Sequence, residues 1–144
     1  MDKGIYCLIL ENRPVFVSIG ALGNLWFPAG FHIYVGSAQG PGGLSRVSRH
    51  LAFARGEGRG PRWHIDYLLR SPRFRIDSVV CAGTLEPLEC RLATLLPGIP
   101  VPGFGCSDCR CTSHLFFSPR HPGEGIAGAM ASLSLTPCSK TIKG

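Results

Sequence analysis

The chain has 144 residues, 44% of them hydrophobic, with a formal net charge of +6 and a pI near 9.2. That length suits one domain with a real core, while no apolar run approaches the roughly 18 residues a membrane helix needs. Asp2 and Lys3 precede an apolar stretch, Ile5–Leu10, too short for a signal peptide, so a cytoplasmic protein without a membrane partner is expected.

In chain order, Gly4–Leu10 reads as a buried strand. Pro14–Ile19 alternates and is rich in β-branched and aromatic residues, and Asn24–Phe27 is a further short strand stopped by Pro28-Ala29-Gly30. Phe31–Val35 follows, so the first quarter predicts an antiparallel meander with an inserted N-terminal hairpin. After Gly40-Pro41-Gly42-Gly43, the spacing of Leu44, Val47, Leu51 and Ala54 predicts a helix, on which Arg46 and His50 share a face. Arg49 points elsewhere. Arg55–Gly60 is a basic loop, and Pro61 suits the first turn of a second helix carrying Trp63, Ile65, Leu68 and Leu69. Phe74–Ala82 reads as a strand, and Glu86–Leu96 as a third helix with Glu89 beside its apolar stripe. The expected fold class is α+β: a small antiparallel sheet flanked by about three helices over residues 1–118, then a loosely structured tail over 119–144.

Charge is concentrated. Eight arginines lie between Arg46 and Arg75, against Glu57 and Asp66 alone. Arginine suits bidentate phosphate contact and base stacking, and neutralised phosphates release counterions. Arg49, Arg55, Arg59, Arg62 and His64 are therefore the expected nucleic-acid contacts. Seven cysteines in a cytosolic chain argue against a disulfide framework, and Cys7, Cys81 and Cys90 read as buried thiols. Cys106, Cys109, Cys111 and His114 match structural zinc in ligand type, but their spacing gives one loop and no second arm. A tight Gly/Cys-rich turn beside the active site accounts for the cluster as well.

The order Gly4-Ile5-Tyr6, Tyr34-Val35-Gly36, Arg46, His50 and a later Glu89 resembles the GIY-YIG nuclease superfamily over Gly4 to about Phe117. The strings Phe27–Gly30, Arg62–Leu69, Glu89-Cys90 and Gly103–Leu115 are similar to an uncharacterised branch of it, sometimes fused to endonuclease-III-like repair glycosylases. The resemblance implies a metal-dependent DNA endonuclease in repair or processing, with DNA and a repair glycosylase as partners. It assigns one Mg²⁺ (or Mn²⁺) to Glu89 and the scissile phosphate to Arg46. Tyr6, Tyr34 and His50 would orient or deprotonate the attacking water. A non-catalytic nucleic-acid-binding module that keeps the fold is the alternative. Tyr6 and Tyr34 stand 28 positions apart, wider than the superfamily's usual spacing, so the inserted hairpin is expected to return Tyr34 beside Tyr6.

Overall fold

The computed structural model describes residues 3–40, 42–106 and 111–142. The first strand, β1 (Gly4–Asn12), is buried along nearly its whole length. This explains its unbroken apolar run, since a strand covered on both faces has no solvent side to mark with polar residues. A hairpin follows, β2 (Val15–Ser18) and β3 (Asn24–Phe27), joined through a 3₁₀ turn at Gly20–Leu22 and forming a separate two-stranded sheet. Then β4 (Gly30–Ala38) returns antiparallel to β1 in a nine-pair ladder from Gly4↔Ala38 to Asn12↔Gly30.

Two helices come next, α1 (Ser45–Ala54) and α2 (His64–Leu69). They lead into β5 (Phe74–Gly83), which pairs with the other edge of β1. Helix α3 (Glu89–Leu95) and the short strands β6 (Ile99–Pro100) and β7 (Leu115–Ser118) extend the fold to its β4 side. Helix α4 (Gly123–Ser132) and strand β8 (Cys138–Thr141) complete it. The main sheet runs β6-β7-β4-β1-β5-β8, with every neighbouring pair antiparallel. The fold is thus α+β, with the expected hairpin inserted between β1 and β4.

Period-two alternation divides the core into two layers. Ile5, Cys7 and Ile9 pack with Ile33, Val35 and Val80 beneath α3 and α4, which contribute Leu92, Ile126 and Met130. Tyr6, Leu8 and Leu10 face the opposite side, with Ile65 and Leu68 of α2, Phe27 of the hairpin, and Phe104.

Residues 119–142 depart from the expected loose tail. Helix α4 buries Ile126 and Met130 completely in the core, and β8 pairs with β5 from Ser78↔Thr141 to Cys81↔Cys138. Two helix starts also move. Helix α2 begins at His64 rather than Pro61, where the Asp66 carboxylate accepts the backbone N–H groups of Arg62 (2.8 Å) and Trp63 (3.0 Å). These are donors the first turn cannot satisfy internally. Helix α3 begins at Glu89 itself, three residues later than Glu86. Among the described residues, no helix is long and apolar enough to cross a membrane.

Candidate active-site cleft

Strand register builds the site. Tyr6 faces Gly36 and Leu8 faces Tyr34 across the β1–β4 ladder. The two phenols therefore share one face of the sheet, a diagonal step apart. Gly36 is required beside Tyr6, because a Cβ there would overlap the end of the phenol ring. Gly4 serves the neighbouring pair, since its Cβ would collide with the Ala82 carbonyl on β5.

Helix α1 lies over the tyrosines. The His50 ring sits between them, with ring centroids 5.6 Å from Tyr6 and 6.1 Å from Tyr34. Its Nε2 is 2.8 Å from the Tyr6 hydroxyl in a buried hydrogen bond. One turn earlier, the Arg46 guanidinium donates to the Ser37 carbonyl at 3.1 Å, and its charge acts on the nearby Tyr6 phenol.

A cleft of about 260 Å³ opens at this end of the sheet, lined by Tyr6, Tyr34, Arg46, Trp63, His64 and Glu89, among others. Glu89 arrives from α3, a helix packed against the other sheet face, because it is that helix's first residue and lies at the sheet's end. His64 Nδ1 accepts the Gly105 N–H at 2.8 Å, which leaves the proton of the neutral ring on Nε2. Trp63 is partly exposed, with the guanidinium carbons of Arg49, Arg46 and Arg62 at 5.3, 5.6 and 5.7 Å from its ring centroid. The three cations gather round one aromatic ring.

Burial sets the protonation states. It pushes the Tyr6 and Tyr34 phenols well above the ordinary tyrosine range, and the nearby Arg46 charge offsets this only in part. Burial also pushes His50 down to about 4 and raises the Glu89 carboxyl, with Arg46 opposing the second shift. At neutral pH both phenols are protonated and the His50 ring is neutral. The cleft thus combines a fixed cation, one carboxylate and two phenols, with the His50 imidazole behind Tyr6 and bordering the adjoining groove.

Of the expected site residues, Tyr6, Tyr34, Arg46, Arg62, His64 and Glu89 line this cleft. His50 does not; it is 2% exposed, beneath Tyr6. Arg49 and Arg59 border an adjoining groove that shares Arg62 and Trp63 with the cleft. Arg55 is turned to Glu57, 3.2 Å away. Arg70, another of the basic run, is structural: it donates to the Phe53 and Glu57 carbonyls at 2.7 and 2.9 Å.

The cysteine cluster is arranged differently from the sequence reading. Cys106 contacts the Phe104 carbonyl at 3.5 Å, and Cys109 lies outside the described residues. Cys111 is joined to Cys90 of α3 by a disulfide, so Cys90 is not an isolated core thiol. His114 lies beside them, with Nε2 3.8 Å from Cys90 Sγ and Nδ1 3.8 Å from Glu89 Oε2. Sequence reasoning missed Trp63 and His114 as cleft walls. Trp63 was legible in principle, because Asp66 three positions later marks a helix start just after the indole.

No curated protein and no solved structure matches the chain significantly. Residues 5–135, from β1 through α4 and just beyond it, match the family described as Domain of unknown function DUF123, and the chain belongs to that family.

Proposed function

We propose that the chain is a metal-dependent endonuclease that hydrolyses DNA phosphodiester bonds in repair or processing, working in the cytoplasm alone or beside a repair glycosylase. The observation that carries this reading is the convergence of Tyr6, Tyr34, Arg46 and Glu89 on one open cleft from four separate elements. Ordinary strand tyrosines and surface charges have no reason to meet in this way.

Arg46 binds the scissile phosphate and neutralises charge that develops on it. Tyr6 and Tyr34 are too deeply buried to act as free phenolates, so Tyr34 orients the water and Tyr6 acts only as a relay. Tyr6 holds the attacking water and passes its own hydroxyl proton to His50 Nε2 as it takes one from the water. His64, with its proton on Nε2, donates to a phosphate oxygen.

Glu89 is the residue that would hold Mg²⁺ or Mn²⁺. A half-buried carboxylate with hard oxygen donors at the cleft edge fits an ion that accepts few protein ligands and keeps its waters. When bound, such an ion supplies charge stabilisation at the leaving oxygen.

The test is cleavage of plasmid and branched DNA with Mg²⁺ or Mn²⁺. Glu89→Ala and Arg46→Ala are each expected to lower the rate by roughly a hundredfold or more, with circular dichroism unchanged. Unchanged cleavage in both variants overturns the assignment. Salt-sensitive DNA binding with no scission under any metal selects the non-catalytic module instead.

A further inference from the structure

Outside the catalytic groups, Cys90, Cys111 and His114 place one ligand atom each within 4.8 Å of one another. Cys90 is on α3, whereas Cys111 and His114 belong to the segment entering β7. This is the second arm that the Cys106–His114 loop lacks by itself.

We propose that, in the reduced protein, Cys90, Cys111 and His114 bind a structural zinc ion that staples this segment to the first turn of α3. The inference concerns stability and stands whether or not the cleft cuts DNA.

Three observations support it. First, the ligand chemistry is soft, two thiolates and an imidazole, which favours zinc over the hard cations suited to carboxylates. Second, one ligand pair already stands at the separation of a bound ion, and reduction frees the two bonded sulfurs to move apart to theirs. Zn–S near 2.3 Å and Zn–N near 2.0–2.1 Å put sulfur and nitrogen about 3.6 Å apart at a tetrahedral centre, and His114 Nε2 already lies 3.8 Å from Cys90 Sγ. Third, the other His114 nitrogen faces the Glu89 carboxylate at 3.8 Å. An outer carboxylate on a ligating histidine fixes the ring's tautomer and orientation. The three residues supply three of zinc's four positions.

The disulfide is the oxidised form of the same site. Conversion takes two electrons. A cellular dithiol is oxidised to its own disulfide, the Cys90–Cys111 bond is cleaved, and zinc takes the two thiolates while the dithiol's two protons are released. A reducing cytosol favours that direction.

The experiment is elemental analysis of the full chain purified with a dithiol reductant and no chelator. One zinc per chain is expected, falling roughly tenfold or more in Cys90→Ser and in Cys111→Ser, and unchanged in Cys138→Ser, whose thiol is exposed on β8. If the serine variants do not fold, the wild type decides: a mercurial thiol reagent should release zinc as cysteines are modified. Cobalt substitution should give thiolate-to-metal charge-transfer bands. Reduced wild type that holds no zinc and gives no such bands overturns the proposal. So does zinc retained in full by both folded variants.

Discussion

His50 is a titratable ring packed between two phenols and an indole, 2% exposed. Its pKa is pushed down to about 4 by burial, against about 6.5 in an unfolded chain. The unfolded state therefore binds the extra proton between those values, and stability rises with pH across that window. Above pH ~6.5 the contribution is complete, and it is lost progressively as pH falls toward ~4, on the order of 3 kcal/mol for this one group. His32, also buried and held near 4, acts in the same window. Urea unfolding midpoints should fall steeply from pH ~6.5 to ~4.5, and the slope should lessen in His50→Gln. A profile identical in the two proteins contradicts this account. At this scale much was legible: Tyr6, Tyr34, Arg46 and Glu89 stand out by type and order. The depth of His50 does not, because helical spacing puts it on the face of Arg46 without saying that Tyr6 closes over it.

Helix α4 shows where reading by element fails. Its sequence, Gly-Glu-Gly-Ile-Ala-Gly-Ala-Met-Ala-Ser, has three glycines and a stripe of only two large apolar residues. Both features weaken a helical signal. The glycines have a packing reason at one point at least: a Cβ on Gly125 would come within 2.8 Å of Pro97 Cγ, so small size allows close approach. The helix is held by tertiary packing rather than by propensity, a cause invisible to local pattern. Ile126→Ala should therefore destabilise the protein by about 2–5 kcal/mol, as expected for a fully buried aliphatic side chain. Denaturant titration measures this. A loss below about 0.5 kcal/mol, the usual scale of surface changes, would show that α4 is dispensable. The long elements β1, β4, α1 and β5 are legible nearly in place, because their hydrophobic periods are strong.

Across the whole molecule, the net charge of +6 is unevenly employed. Arg75 is tied to Glu11, Arg55 to Glu57, and Arg70 to backbone carbonyls. Arg46, Arg49 and Arg62 instead surround Trp63 at the mouth of the cleft. If this is the DNA-binding face, log affinity should fall linearly with log salt. Replacing Arg49, Arg59 and Arg62 together by alanine should then flatten the slope by about 0.9 for each phosphate that is no longer neutralised. Arg75→Ala should leave it nearly unchanged. Equal effects from the two sets would mean that binding is diffuse. Composition carries the sign of this surface, but its division between structural and outward-facing arginines depends on which carbonyls and carboxylates the fold brings within reach.

The β1–β4 ladder closes at Asn12↔Gly30, below the β2–β3 hairpin, and all nine pairs lie on the cleft side of that junction. The number of residues in the hairpin consequently has no bearing on where Tyr6 and Tyr34 stand. Lengthening a loop costs only slowly growing closure entropy, so residues added at the hairpin's turn leave the ladder in place, while Ile19 and Phe27 root the hairpin in the core. The hairpin exposes Phe16 and Trp26, more than half accessible, whose rings meet at a tilt with centroids 4.8 Å apart. The distance between the two tripeptides along the chain thus grows with the insertion, while their spacing in the sheet does not. Pairing register, not chain distance, is the quantity that holds the two phenols in place.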